Sequence, residues 1–136
     1  LAYQKRLSGP LLDRIDLVIN VKRVSNETLL QHNIVSNSQH KHAINVINIA
    51  TLRQTNRYGS SVKNNSNISS SEVKRLFGLT PEVKTLLSSA ADKLNLSARS
   101  YFKIIKVART IADLENSPEI EPSHIAEALQ YRLNTT

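Results

Sequence analysis

The chain has no cysteine, and among its 136 residues only three are glycine, four are proline and 4% are aromatic. The lack of cysteine excludes a disulfide framework, a zinc finger and thiol catalysis, and it favours a cytoplasmic location. Three glycines are too few for a glycine-rich phosphate loop, and neither the P-loop pattern nor the dinucleotide-binding pattern occurs. No apolar run approaches the roughly 18 residues that cross a bilayer, so we expect no membrane partner.

Positive charge is what the sequence has in excess. Eighteen Lys and Arg stand against eleven Asp and Glu, which gives a formal net charge of +7. The basic side chains are concentrated in residues 1–110, whereas residues 111–136 contain one basic and five acidic side chains. Such a balance favours an anionic partner, which would be a nucleotide, a nucleic acid or an acidic surface. A helical protein that is merely basic on its surface is the alternative.

The N-terminal part predicts a single strand. Residues 16–21 combine β-branched side chains with a nearly continuous apolar centre, which is typical of a strand buried on both faces. One strand cannot form a sheet, and the sequence does not begin with methionine. We therefore expect the chain to be part of a longer protein that supplies the other strands.

The C-terminal half predicts a small bundle of four short helices. Apolar residues recur there at spacings of three and four, and four helix-start signals follow one another closely. The signals are a capping box formed by Ser69 and Glu72, the pair Thr80-Pro81, Ser97, and the pair Glu121-Pro122. The third helix should run from Ala98 to about Glu115.

A longer helix is predicted upstream of the bundle, between two polar segments. Helical spacing of apolar residues runs from about His40 to Arg57, and Tyr58-Gly59 should end it. Residues 33–41 are polar and predict a loop. Residues 59–70 are rich in Ser and Asn and predict a mobile loop or a domain boundary.

Arg14 is the first candidate functional residue. It lies between Asp13 and Asp16, directly before the predicted strand. A local ion pair at the strand entry is one interpretation. The other is that Arg14 projects from a domain edge to a phosphate on a neighbouring subunit, a task that suits the planar, permanently charged guanidinium group.

A basic stripe on the third bundle helix is the second candidate. Arg99, Lys103 and Lys106 share one face, opposite the apolar one. Three interpretations are open for this stripe. It is a solvated face, it contacts the γ-phosphate of a nucleotide, or it contacts a nucleic-acid backbone. Arg99 lies in the first helical turn, where the helix dipole disfavours a cation, so a phosphate nearby would make its position favourable.

The four histidines do not predict a metal site. Only His40 and His42 are closely spaced, and no cysteine and few acidic residues accompany them. No Ser-His-Asp arrangement can be recognised either. We expect no bound metal among the residues of this chain.

Three blocks of the sequence resemble the magnesium-chelatase-like AAA+ ATPases, and among them the ComM/YifB competence-related family. Residues 3–17 resemble the family segment YxxRISGPLLDRIDL. Residues 50–58 resemble its ARxxQxxRY helix, with Thr51 where the family usually has arginine. Residues 96–114 resemble LSARAYHRILKVARTIADL, with Phe102 and Lys103 where the family usually has histidine and arginine. Residues 124–132 match its last helix.

The resemblance implies the end of an AAA+ core followed by a helical lid. Residues 1–24 would be the C-terminal end of the core with its last strand, residues 25–68 a helical connection with a Ser/Asn-rich linker, and residues 69–136 the lid bundle. The expected fold class is mainly α, a small helical bundle of the AAA+ lid type preceded by a short strand left over from the core. ATP and Mg²⁺ are the implied cofactors, bound mainly by core residues outside this sequence.

Roles for two arginines follow from the same resemblance. Arg14 resembles the arginine finger, which acts in trans on the ATP of the neighbouring subunit. Arg99 resembles the sensor-2 arginine, which reads the ATP phosphates within its own subunit. No role transfers to Phe102 or Lys103, because both depart from the family pattern. The implied partners are the rest of the AAA+ core, a homo-oligomeric ring expected to be a hexamer, and DNA.

The leading hypothesis is a lid fragment that senses ATP and couples hydrolysis to ring motion, with DNA as the target. The chain itself should not hydrolyse ATP, whereas the longer parent protein should be an ATPase. A metal-chelatase motor subunit is an alternative within the family. A stand-alone basic helical module that binds nucleic acid through Lys103 and Lys106 is an alternative outside it.

Overall fold

The computed structural model describes residues 14–23 and 37–132, and within these ranges it contains five α-helices. The predicted mainly helical fold, with a small bundle of the lid type, is confirmed. The chain order is α1 Asn37–Tyr58, α2 Ser70–Leu76, α3 Pro81–Leu94, α4 Ala98–Leu114 and α5 Pro122–Gln130. Among the described residues, no helix combines the length and the apolar character that crossing a membrane requires.

Local capping interactions start the bundle helices where the sequence predicts them. The Ser69 hydroxyl accepts the backbone N–H of Glu72, and the Glu72 carboxylate accepts the backbone N–H of Ser69, which completes the predicted capping box of α2. Thr80 caps α3 ahead of Pro81. Ser97 caps α4 by accepting the backbone N–H of Ser100 at 3.1 Å.

The core of the bundle surrounds α4, which packs against α1, α2 and α5. Its largest fully buried apolar side chains come from four different parts of the chain, so the helices share one core rather than forming separate clusters. These side chains are Val73, Val83, Leu87, Ile105, Ile120 and Ile125. Each fully buried side chain of this size stabilises the fold by about 1.5–3 kcal/mol.

The predicted strand at residues 16–21 is not formed among the described residues. On one side of this segment Leu17, Ile19 and Val21 are 54%, 69% and 84% exposed, and on the other side Asp16 and Asn20 are exposed and Val18 is half-buried, so no residue of it is fully buried. The physical reason is the absence of a pairing partner, because a strand forms only through hydrogen bonds to a neighbouring strand. Residues 1–13, 24–36 and 133–136 lie outside the described residues.

Helix α1 begins earlier than predicted. Its first residue is Asn37, so residues 37–41 of the predicted loop are helical instead. Polarity alone favoured a loop there, but all side chains described between Ser38 and Asn45 are exposed, and an exposed helical turn tolerates polar residues on every side. The helix ends as predicted, with Gly59 in the left-handed region at φ +62°.

The Ser/Asn-rich segment at residues 59–70 is packed onto the helices. Asn65 and Ile68 are each only 2% exposed. The ammonium group of Lys106 on α4 donates to the backbone carbonyls of Ser66 and Ile68. The segment therefore connects α1 to the bundle through fixed contacts. The division of the chain at residues 24 and 68 stays a prediction.

Candidate functional site

A groove of about 920 Å³ runs between α4 and the segment formed by residues 14–19, and we call it the arginine groove. Four cationic and two anionic side chains border it, so its formal charge is positive. These charged residues are Arg14, Arg99, Lys103, Lys106, Asp16 and Glu127. Phe102, Val107 and Tyr131 contribute apolar and aromatic surface.

Two described contacts hold the segment of residues 14–19 over the helices. The backbone N–H of Val18 donates to the carbonyl of Tyr131 at 2.8 Å. The ammonium of Lys103 donates to the carbonyl of Ile15 at 2.8 Å, and it lies 3.6 Å from the carboxylate of Asp16. The segment is therefore fixed to the lid at both ends of a four-residue stretch.

Arg14 and Arg99, the two arginines that the sequence singles out, border this same groove. Both side chains are exposed, and neither guanidinium group makes a hydrogen bond or ion pair with another described residue. Arg99 lies in the first turn of α4, two residues after the N-cap Ser97. The positive end of the helix dipole and a free guanidinium group are thus close together, a combination that attracts an anion.

The two lysines of the predicted stripe have different surroundings. Lys103 contacts the segment of residues 14–19, and Lys106 contacts the carbonyls of Ser66 and Ile68. Both ammonium groups are thus engaged by the protein. Among the described residues, Arg99 is the one member of the stripe whose charged group has no protein acceptor.

A second charged cluster lies at the other end of α4, centred on the carboxylate of Asp113, which is fully buried. Arg57 donates to both of its oxygens, Arg109 lies 3.1 Å away, and Arg53 lies 3.8 Å away. The side-chain amide of Asn65 donates to it at 3.0 Å. We call these five residues the aspartate cluster. It ties α1 and the Ser/Asn-rich segment to the end of α4.

The outer arginines of the aspartate cluster also order the loop after α4. Arg53 donates to the backbone carbonyls of Asn116 and Ser117, and Arg109 donates to those of Ser117 and Pro118. The Nε–H groups of Arg53 and Arg109 are buried without an acceptor in the described residues. Each unpaired group costs free energy, so the bonds to the carboxylate and the carbonyls must outweigh that cost.

The surroundings shift the pKa values of the clustered arginines in opposite directions. For Arg57, burial lowers the pKa, but the hydrogen bonds and charge of Asp113 outweigh it and the net pKa is raised. For Arg109, burial lowers the pKa and the charge of Arg57 lowers it further, so the nearby Asp113 does not compensate and the net pKa is lowered. These directions agree with the distances, since Arg57 lies closer to the carboxylate of Asp113 than Arg109 or Arg53 does.

The sequence reasoning did not identify the aspartate cluster. Arg53 and Arg57 belong to residues 50–58 and Asp113 to residues 96–114, two segments that resemble the family, but the sequence predicts no contact between them. A signal was present, because Arg109 and Asp113 are four residues apart on a helix whose neighbouring positions are apolar. Two charges flanked by a buried face predict a buried ion pair.

His124 belongs to a separate, structural contact. It is 1% exposed, its Nδ1 accepts the backbone N–H of Glu121, and its Nε2 lies 3.0 Å from the carboxylate of Glu115. Because Nδ1 accepts, the proton is on Nε2, which donates to Glu115. Within residues 14–23 and 37–132 no three side chains of the types that bind metals are grouped to hold an ion.

Comparison with known proteins places the chain among longer relatives. Residues 36–132 match the family described as magnesium chelatase, subunit ChlI C-terminal, and residues 1–29 match the family described as magnesium chelatase, subunit ChlI. The chain is 38% identical over 130 residues to the competence protein ComM of Haemophilus influenzae. It is 33% identical over 132 residues to a protein designated YifB in Escherichia coli.

The alignments cover 96% and 97% of this chain but only 25% of each of those relatives, so the chain spans about a quarter of their length. The family match to residues 36–132 contains all five helices, and it includes both the aspartate cluster and the α4 side of the arginine groove. The resemblance found in the sequence is thereby confirmed. The chain belongs to the magnesium chelatase ChlI family, and residues 36–132 are its C-terminal domain.

Proposed function

We propose that the chain is the lid portion of a magnesium-chelatase-like AAA+ ATPase, and that Arg99 and Arg14 contact the phosphates of ATP. The observation that carries this proposal is that both guanidinium groups are exposed and that neither is neutralised by a carboxylate among the described residues. The three arginine–carboxylate ion pairs of the aspartate cluster show that this protein pairs its structural arginines closely. Arg14 and Arg99 are left for a different partner.

The chemistry of the arginine groove fits a nucleoside triphosphate. Guanidinium groups bind phosphate oxygens in a bidentate manner, and the surfaces of Phe102 and Tyr131 provide apolar contact area. The described residues offer no group of carboxylates or histidines for Mg²⁺, so its ligands would come from the parent protein. When bound, Mg²⁺-ATP supplies the phosphoryl group, and the residues of this chain hold and neutralise its oxygens.

The two arginines would act on different nucleotides. Arg99 on α4 would contact the ATP of its own subunit, so that loss of the γ-phosphate changes the position that the lid prefers. Arg14 would contact the ATP of the adjacent subunit in a homo-oligomeric ring and stabilise the charge that develops during hydrolysis. The match of residues 1–29 to the ChlI family, which includes Arg14, supports this assignment.

We further propose that the parent ATPase acts on DNA, with metal insertion as the competing function. A relative whose name describes a competence protein and the net charge of +7 support the first. The family description, which names a magnesium chelatase, supports the second. Stimulation of ATP turnover by DNA, measured against the same protein without DNA, distinguishes them.

The decisive experiment replaces Arg14 in the full-length parent protein. Arg14→Ala should lower ATP turnover by about 10³-fold while ATP binding stays intact, because an arginine finger acts on the transition state. Mixing this variant with a P-loop lysine variant should restore part of the activity, since each supplies what the other lacks at a shared interface. Loss of ATP binding, or unfolding of the variant, would show that Arg14 is a local structural residue instead.

A further inference from the structure

Lys103 connects the two sides of the arginine groove, which are α4 and the segment of residues 14–19. It follows Arg99 by one helical turn on α4, and its ammonium group reaches across the groove to the segment that carries Arg14. The bond from Lys103 to the carbonyl of Ile15 is 2.8 Å long, and Asp16 adds a carboxylate at 3.6 Å. Both contacted residues are within two positions of Arg14.

The Lys103 contact limits where Arg14 can be. Residues 14–23 form no helix and no strand, so their backbone position depends on contacts with the rest of the protein. The nearest described backbone contact is the Val18 bond to Tyr131, four residues from Arg14, whereas the Lys103 bond is one residue away. The side chain of Lys103 is only 16% exposed, whereas its partners Ile15 and Asp16 are 39% and 62% exposed.

We propose that Lys103 is a positioning residue that ties Arg14 to the helix of Arg99. A movement of α4 is then transmitted to the backbone at Ile15, so that the residue reading one ATP and the residue acting on the next move together. This inference rests on the function proposed above for the two arginines. It also assigns a role to residue 103, where this sequence has lysine and the family pattern has arginine.

The first test measures the tether in the chain itself, without nucleotide. In Lys103→Met, which keeps the apolar stem but removes the donor, hydrogen exchange at the Val18 amide should become about tenfold faster, because the segment loses its charge-assisted anchor. Lys103→Arg should restore the protection. Lys106→Met is the matched control: it lies on the same face but contacts Ser66 and Ile68, so it should leave Val18 unchanged.

An unchanged exchange rate in Lys103→Met would overturn the tether. An equal increase in Lys103→Met and Lys106→Met would also overturn it, because the effect would then be a general loosening of the bundle. Circular dichroism of both variants, compared with the unsubstituted chain, ensures that the exchange rates describe folded proteins.

The second test measures the consequence in the full-length parent protein. Lys103→Met should lower kcat for ATP about three- to tenfold with an unchanged KM, and mixing with a P-loop lysine variant should restore part of the activity, as it should for Arg14→Ala. Lys84→Met, an exposed change on α3, should have no effect. A purely structural role would change KM and kcat together, and mixing would not restore activity.

The two hypotheses fail in distinguishable ways. If Arg14→Ala lowers turnover and Lys103→Met does not, the proposed function stands and the positioning role is wrong. If Arg14→Ala leaves turnover intact, the proposed function is wrong and the kinetic role of Lys103 falls with it, while the exchange experiment still decides whether the tether exists.

Discussion

The two ends of α4 use arginine in opposite ways. At the C-terminal end, Arg53, Arg57 and Arg109 surround the single buried carboxylate of Asp113. At the N-terminal end, Arg99 is exposed, faces the same groove as Arg14, and has no carboxylate partner among the described residues. The same side-chain chemistry therefore serves as a structural connection at one end of the helix and as a candidate phosphate contact at the other.

Burial explains the difference between the two ends. A buried guanidinium group must be paired and hydrogen-bonded, because removing it from water costs several kcal/mol. An exposed one stays hydrated and keeps its donors for an incoming anion. A buried arginine that has a carboxylate partner is thus evidence for structure, whereas an exposed arginine at a groove is a candidate for binding.

The largest effect is expected when the carboxylate at the buried end of α4 is removed, which tests the structural role of the aspartate cluster. Asp113→Ala should lower the free energy of unfolding by about 3–5 kcal/mol, because it leaves three arginines close together with no counter-charge. Urea denaturation followed by circular dichroism measures the loss. Asp92→Ala, an exposed acidic residue on α3, is the matched control and should change stability by less than about 0.5 kcal/mol. Equal stabilities of the two variants would show that the aspartate cluster is dispensable.

A second experiment compares one arginine from each end. Arg99→Ala should leave the stability of the chain unchanged, and in the full-length parent protein it should weaken ATP binding about 10–100-fold more than ADP binding, since only ATP presents a γ-phosphate. Mixing with a P-loop lysine variant should not rescue it, because the defect is within one subunit. Denaturation and nucleotide titration measure the two effects.

The arginine compared with Arg99 is Arg109, and the same two measurements are made on Arg109→Ala. It should destabilise the chain by about 2 kcal/mol, because the carbonyl of Pro118 loses its donor and that of Ser117 keeps only Arg53, and it should leave the preference for ATP over ADP unchanged. Similar effects of Arg99→Ala and Arg109→Ala on stability would contradict the division between a structural and a binding end. If DNA affinity fell equally at Arg99, Lys103 and Lys106, with nucleotide binding unchanged, a nucleic-acid module would be the better description.

The smallest expected effect concerns Glu72, an acidic residue outside both clusters. The hydrogen bond from Lys63 and those from Ser69 lower the pKa of Glu72 to about 2. Because this pKa is below the usual value of about 4.3, the carboxylate stabilises the fold fully above about pH 5 and loses its contribution as the pH falls toward 2. Gln also completes a capping box, so Glu72→Gln removes only the charge.

Denaturation at pH 7, 5 and 3 measures this contribution. The stability difference between the parent chain and Glu72→Gln should be equal at pH 7 and 5 and smaller at pH 3. In a Lys63→Met background the decrease should be smaller and should be complete at a higher pH, because the largest cause of the lowered pKa is gone and the pKa of Glu72 in the folded protein lies closer to its usual value. A difference that does not depend on pH would show that Glu72 acts only through its capping geometry.

The sequence predicted the features that depend on residues close together in the chain. Ser69 with Glu72, Thr80 with Pro81, and Ser97 fixed the starts of three bundle helices, because capping involves atoms within one turn. The family resemblance added Arg14 and Arg99 as candidates, and the structure brings them to one groove. Their contact with ATP stays a prediction.

Features that depend on distant residues could not be predicted in the same way. Arg57 and Asp113 are 56 positions apart, and no local pattern pairs them. The Lys103 contact with Ile15 spans 88 positions, and the sequence predicted for Lys103 a solvated face, a nucleotide phosphate or a nucleic acid. The segment of residues 16–21 has the composition of a strand, but strand formation depends on a neighbour that local composition does not specify.

The length of helix α4 sets how far Arg99 lies from the aspartate cluster. From Asp113 to Arg99 the helix rises about 21 Å, at about 1.5 Å per residue. A tilt of only about 10° around the buried end therefore moves the backbone of Arg99 by about 4 Å, several times the range of distances over which a hydrogen bond to a phosphate oxygen persists. A small rotation about the buried end would thus be enough to make or break a contact of Arg99.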